Sequence, residues 1–283
     1  MAYRTEWEEP DEPGRGSDWR AALAATPVAS ALLVGAIAVT LLEVIVAAAG
    51  LPAIAQPSRW LGLRLSNAPF VVPFFSYVLP HAPRELMHLV LNMFVLWFLG
   101  RELESRLGRG PFMTLFFGSA LVGAVAHLVV SAQQGDDRPL IGASGGLYGL
   151  IFFIARETPD RTFLFYFFRI PAKVLALLLV AFSLHPLLFE GFAGGVAHLC
   201  HLGGALFGFL WCRHRFDALS WWGTLREQRA QQRAATAARD EAADDAEMDR
   251  LLAKIHASGM NSLTERERQF LRARSESLKG GRR

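Results

Sequence analysis

The chain has 283 residues, 52% of them hydrophobic, and a formal net charge of +3. That is too apolar, in runs too long, for a water-soluble domain of this size, and the charge is too small to argue for a nucleic-acid partner. A helix of about 20 apolar residues spans a bilayer core of roughly 30 Å, and six runs are candidates for such helices. They are Val28–Gly50, Arg84–Leu99, Phe112–Ala132, Leu140–Ala155, Ala172–Leu188 and Val196–Cys212. The expected fold is therefore all-α: a polytopic membrane protein with six transmembrane helices, some short or tilted.

Residues 1–26 are polar, contain Pro and Gly, and are expected to be a disordered cytoplasmic N-terminus. The first run starts after this tail and is too long for the apolar region of a signal peptide. Glu43 lies inside it and is costly in lipid, so it should face protein or an interface. Residues 51–83 are too long for a simple turn and are rich in aromatics (Trp60, Phe70, Phe74, Phe75, Tyr77), which suits a structure lying in the membrane interface. The second run pairs His88 with Asn92 at i, i+4, and the fourth pairs Ser144 with Tyr148 at the same spacing. The third carries His127, for which a structural role is expected. The sixth carries His198, His201, Gly204 and Gly208, the glycines following the small-xxx-small pattern of close helix contacts. Cys200 and Cys212 lie ~18 Å apart along that helix, too far to bridge, and read as small apolar residues.

Charge asymmetry orients the chain. With six crossings both termini share one side. The connections on that side hold Arg101, Arg106, Arg109, Arg156, Arg161, Arg169, Arg213 and Arg215. The opposite short loops hold Arg138 beside Asp136 and Asp137, and Glu190 without a basic residue. By the positive-inside rule the termini are cytoplasmic. The expected location is a bacterial inner membrane.

Beyond residue 213 the chain turns polar. A stalk is expected over 214–247 and a small helical hairpin over 248–283. Met248, Leu251, Leu252 and Ile255 keep helical spacing and end at Gly259. Ser262-Leu-Thr-Glu265 reads as a capping box opening a helix that turns Phe270 and Leu271 inward.

Depth brings the polar residues of the membrane region, residues 27–213, together. Ser144 lies twelve residues before Arg156 and His201 twelve before Arg213, so both sit ~18 Å from the cytoplasmic interface, just beyond mid-membrane. Asn92 and His88 precede Arg101 by nine and thirteen residues, ~14 and ~20 Å. The polar Asp136-Asp137-Arg138-Pro139 lies just upstream of Ser144, so the fourth helix should begin deep, near Ser144. Non-helical backbone at that depth needs a wet cavity or a protein surround. The helix N-terminus offers unpaired N–H groups to a developing oxyanion. A serine and a histidine meeting there point to peptide hydrolysis, with His198 as an alternative base.

These motifs resemble the rhomboid intramembrane serine proteases: His88-Leu-Val-Leu-Asn92, Gly142-Ala-Ser144-Gly145 and Ala-His-Leu-Cys-His201-Leu-Gly-Gly204 with Gly208. Leu103-Glu104-Ser-Arg106-Leu-Gly108 is similar to the family's glutamate–arginine stretch. The resemblance implies a rhomboid-like bundle with a dyad: Ser144 as nucleophile, His201 as general base and then acid. His88, Asn92 and the Ser144 backbone N–H would form the oxyanion hole. Tyr148 would pack on the His201 ring, and Gly142, Gly145, Gly204 and Gly208 would support the site. No cofactor or metal is implied; the partners would be transmembrane protein substrates and the lipid bilayer. Where the family often has Trp-Arg in the first loop, this chain has Val72-Pro73. Two rival readings are a catalytically silent rhomboid-like protein that binds transmembrane clients, and a metal or transport site using His88, His127, His198 and His201. Glu85-Leu-Met-His88 lacks the first histidine of the zinc-protease motif His-Glu-x-x-His.

Overall fold

The computed structural model describes residues 24–83, 85–165, 168–189, 191–214 and 218–280. The expected disorder of the N-terminus, the start of the second run at Arg84, and Glu190 and Arg215 fall outside these residues. The chain divides into two compact units, residues 1–220 and 221–283.

In the first unit, α1 (Pro27–Ala48) leads into the first loop, which is built of short pieces: α2 (Pro57–Leu61), a 3₁₀ turn (Leu65–Asn67) and α3 (Pro73–Ser76). Proline sits in the first turn of all three α-helices, where its missing N–H costs nothing. The second apolar run forms α4 (Leu86–Val95), a π turn (Leu96–Gly100) and α5 (Arg101–Leu107), one continuous helix that continues past the expected end at Leu99. Next come α6 (Arg109–Gln134) and α7 (Ser144–Glu157), then a hairpin of β1 (Thr162–Phe165) and β2 (Phe168–Pro171) that the all-α expectation did not include. The last two helices are α8 (Ala172–Phe189) and α9 (Gly191–His214). Among the described residues, α1, the α4–α5 helix, α6 and α8 are long and apolar enough to cross a membrane, and His198–Cys212 is a shorter apolar helix.

The bundle is centred on α9, which packs against both α6 and α7. Without a hydrophobic drive inside lipid, helix association depends on close van der Waals fit, and small residues permit it. A Cβ on Gly204 would run into the Gly145 carbonyl, one on Gly208 into the Gly149 carbonyl, and one on Gly123 into the Cys200 carbonyl. Gly203 faces the Gly123 backbone in the same way, at 2.9 Å. Phe112, Leu115, Phe116, Leu150, Phe153 and Ile154 fill the remaining core. Cys200 and Cys212 are both buried thiols outside any disulfide, as expected, but Cys212 is more than a small apolar residue, since its thiol donates to Glu157 Oε1.

Two carboxylates inside the bundle are spent on helix ends. Glu43, 2% exposed, accepts from the backbone N–H and the hydroxyl of Ser58, at 2.9 and 2.6 Å, and so fastens the first loop to α1. Thr26 makes no side-chain cap for α1. Glu104 takes that role from a distance, its two oxygens accepting from Val28 N at 3.0 Å and Ala29 N at 2.7 Å. A carboxylate there also meets the positive end of the helix dipole.

The first loop corrects one expectation. Trp60, Phe70 and Phe75 are exposed, as an interfacial structure requires, but Tyr77 is fully buried. It is a pin rather than an anchor, since its hydroxyl donates to the Ala120 carbonyl at 2.8 Å. Val72, 67% exposed, precedes α3 and Pro73 is its buried first residue, so the pair departing from Trp-Arg starts a short helix.

In the second unit the expected stalk and first tail helix are one helix, α10 (Ala218–Ser258), with no break at 247. It ends at Gly259, which has φ +78°. Leu251 and Leu263 are buried, whereas Leu252 is exposed and does not face inward. The capping box of α11 (Glu265–Gly280) is not Ser262–Glu265. Thr264 and Glu267 exchange the bonds, Thr264 N donating to Glu267 Oε2 at 2.8 Å and Glu267 N to Thr264 Oγ1 at 3.4 Å. Ser262 instead closes the preceding 3₁₀ turn by donating to the Gly259 carbonyl. The expected pattern was two residues out of register because Met260–Ser262 is itself helical.

Replacing Glu104 with Ala is expected to destabilise the membrane unit by about 1–2 kcal/mol, the usual loss for a helix N-cap. Glu104→Gln, which keeps one acceptor, should lose less. Thermal unfolding of the three proteins in one detergent checks the order.

Candidate active site

α7 begins at Ser144 itself, so the serine side chain and the unpaired first N–H groups of the helix share one position. The approach to it is extended backbone held by the first loop. Leu63 and Leu140 exchange both backbone hydrogen bonds, at 3.1 and 2.7 Å, and Gly142 N donates to the Tyr77 carbonyl at 2.8 Å. Asp137 fastens the same segment further out. It accepts from Ser66 N and Ser66 Oγ, each at 2.8 Å, while its carbonyl accepts from Arg64. Gly142 adopts φ +109°, which L side chains rarely take, and a Cβ there would lie 3.3 Å from His88 Cε1.

Ser144 Oγ and His201 Nε2 are hydrogen-bonded at 2.7 Å, the hydroxyl donating in the tautomer that carries the ring proton on Nδ1. An Nε2 that accepts leaves the proton of a neutral imidazole on Nδ1. That nitrogen is buried and meets no acceptor among the described residues, so no carboxylate orients the ring. Packing does so instead. Tyr148 stacks on His201 with ring centroids 4.4 Å apart and planes 13° from parallel. The Tyr148 hydroxyl accepts from Ser183 on α8 at 3.3 Å. His198 sits edge-on to His201 at 5.6 Å and to Phe182 at 5.8 Å, and no bond joins it to Ser144 among those described.

Asn92 is buried and His88 is half-exposed, its Nδ1 3.8 Å from Glu85. His88 faces Gly142, two residues before the serine. His127 pairs with Ser131 one turn along its own helix, at 3.3 Å. Among the described residues no three His, Cys, Asp or Glu side chains converge as a metal set.

Sequence reasoning did not place His81 at the site. It is fully buried, takes Asn92 Nδ2 at 2.9 Å on its Nε2, and its ring lies 5.5 Å from that of His88. The reading also passed over Gly149, although Gly145-xxx-Gly149 repeats the small-residue spacing noted on α9.

Residues 70–217, just over half of the chain, match the Rhomboid domain. The chain belongs to the rhomboid family. Residues 239–277 match a second family, described as a family of unknown function, DUF6576. Among named relatives, the presenilin-associated rhomboid-like protein A, mitochondrial, of Danio rerio is 27% identical over 177 residues, 56% of this chain and 42% of the relative. Rhomboid protein 1, mitochondrial, of Saccharomyces cerevisiae is 29% identical over 133 residues, covering 45% of this chain and 38% of the relative. Rhomboid protease GlpG of Photorhabdus laumondii is 27% identical over 142 residues, 47% of this chain and 45% of the relative. The chain thus spans less than half the length of each of these relatives. A rhomboid-like, all-α membrane bundle is the fold of this chain, and the bilayer is its environment.

The Asp137 clasp should be sensitive to pH. The Ser66 N–H, then its hydroxyl, hold the Asp137 carboxyl below its ordinary range. A depressed carboxylate stabilises fully above its unfolded value of about 4, and the contribution is lost as pH falls through the lower folded value. Amides over 138–142 are expected to exchange faster in Asp137→Ala, and in the wild type on strong acidification. Those inside α7 should be unchanged, as measured by hydrogen exchange corrected for intrinsic rates.

Proposed function

We propose that the protein is an intramembrane serine endopeptidase that cuts transmembrane segments of membrane proteins with a Ser144–His201 dyad. The observation that carries this reading is the 2.7 Å bond from Ser144 Oγ to His201 Nε2 between two separate helices of a rhomboid bundle. As Ser144 Oγ attacks the scissile carbonyl, its proton passes to His201 Nε2. His201 then returns that proton to the departing amine, and an acyl-enzyme remains. A water attacks the acyl carbon, giving a proton to His201, and His201 passes that proton to Ser144 Oγ as the acid product leaves. His88, Asn92 and the Ser144 N–H stabilise the oxyanion, each such donor being worth about 10²–10³-fold in rate. Tyr148 keeps the ring in place. Gly142 clears space beside His88, while Gly145, Gly204 and Gly208 bring the two helices close enough for the bond to form.

A silent rhomboid-like client binder is the weaker reading, because a binder has no need of a bonded serine–histidine pair. Both termini are placed on the cytoplasmic side, supported by the arginines at the ends of the α4–α5 helix and α7. Most of the matched relatives are named mitochondrial, so the comparisons favour a membrane location without supporting the expected bacterial one; the bacterial inner membrane is kept as a proposal on the likeness to the Photorhabdus protein alone.

Ser144→Ala and His201→Ala are each expected to reduce cleavage of a model single-span substrate to background, a loss on the order of 10⁶-fold. Labelling of the wild type by a fluorophosphonate should disappear in both variants while thermal midpoints stay close. Wild-type-like cleavage by either purified variant overturns the dyad.

A further inference from the structure

His81 is a fully buried histidine on the first loop with both ring nitrogens engaged. Nδ1 faces the Leu79 carbonyl at 3.1 Å, which can only accept, so the ring proton sits there. In a neutral imidazole Nε2 is then a lone pair, and its partner on Asn92 must be an N–H. The Asn92 amide is thereby fixed with Nδ2, not Oδ1, at 2.9 Å from the ring. This matters because the two ends of an amide are nearly the same shape and opposite in hydrogen-bonding character. A flipped amide would turn a carbonyl oxygen toward a developing oxyanion.

We infer that His81 is a positioning residue, holding the Asn92 amide in its donor orientation beside the nucleophile; this rests on the protease reading above. One N–H of Nδ2 is used on His81 and the second remains for the substrate oxygen. The same short stretch serves the other half of the site, since the Tyr77 carbonyl holds Gly142 N at 2.8 Å. His81 packs against the edge of the His88 ring, and a Cβ added at Gly142 would lie 3.8 Å from its Nε2, so the two are neighbours. The first loop therefore couples the position of Asn92 to that of the segment entering Ser144.

The test is a double-mutant cycle on the purified full chain, with kcat and KM measured for a single-span substrate. Asn92→Ala alone is expected to lower kcat about 100-fold. His81→Leu should lower kcat by roughly 10–100-fold with KM little changed, and adding it to Asn92→Ala should cost less than about 3-fold more than Asn92→Ala alone. His81→Gln, able to donate to Leu79 and accept from Asn92, should recover most of the rate. If His81→Leu does not fold, His81→Met removes the acceptor while keeping a bulky apolar side chain. Fully additive losses, a KM effect in place of kcat, or no rescue by Gln overturns the inference while leaving a cleaving wild type intact. A wild type that neither cleaves nor labels at Ser144 removes the protease reading and this inference together.

Discussion

The close approach of α7 and α9 sets the geometry on which everything else rests. Gly204 lies on the Gly145 carbonyl and Gly208 on the Gly149 carbonyl, a repeat of four residues on both helices. Such a seam fixes rotation and register as well as distance, because each contact admits no side chain. With the register fixed, Ser144, one residue before Gly145, falls opposite His201, three residues before Gly204. The hydroxyl–imidazole bond is a consequence of backbone packing, and packing also holds the imidazole, since Tyr148 covers one ring face and no carboxylate among the described residues reaches Nδ1. A buried carboxylate there would carry its own desolvation cost in lipid.

Polar groups within the membrane unit are costly unless paired, and four of the described ones are each committed to a specific partner. Glu43 holds the first loop, Glu104 closes α1, His81 takes the Asn92 amide, and the Tyr77 hydroxyl meets the Ala120 carbonyl. The first loop is thus tied to α1, to α6 and to the strand-like approach to Ser144, while its exposed rings face outward. It supplies both the support for the segment entering Ser144 and a partner for Asn92.

Much of this was legible in the sequence because membrane depth is a one-dimensional quantity. The polar Asp136-Asp137-Arg138-Pro139 just upstream was enough to start a helix near Ser144, and α7 does begin at that residue. The second run was harder: its helix passes through a π turn into charged α5, so hydropathy ended it early. Tyr77 reads as one more interfacial aromatic until its hydroxyl is seen to have a buried partner. His81 carried no periodic signal at all, since its partners come from a loop carbonyl and from a helix eleven residues away. The tail box was misplaced because a 3₁₀ turn shifts the cap by two residues, and no apolar period marks such a turn.

The remote cap on α1 has a consequence for how the chain is made. The first two capped amides wait on a carboxylate 75 and 76 residues further along. During synthesis α1 must enter the bilayer with its opening turn unfinished. Completion comes only when the far end of the second hydrophobic helix has emerged from the ribosome, so these two segments mature as a pair.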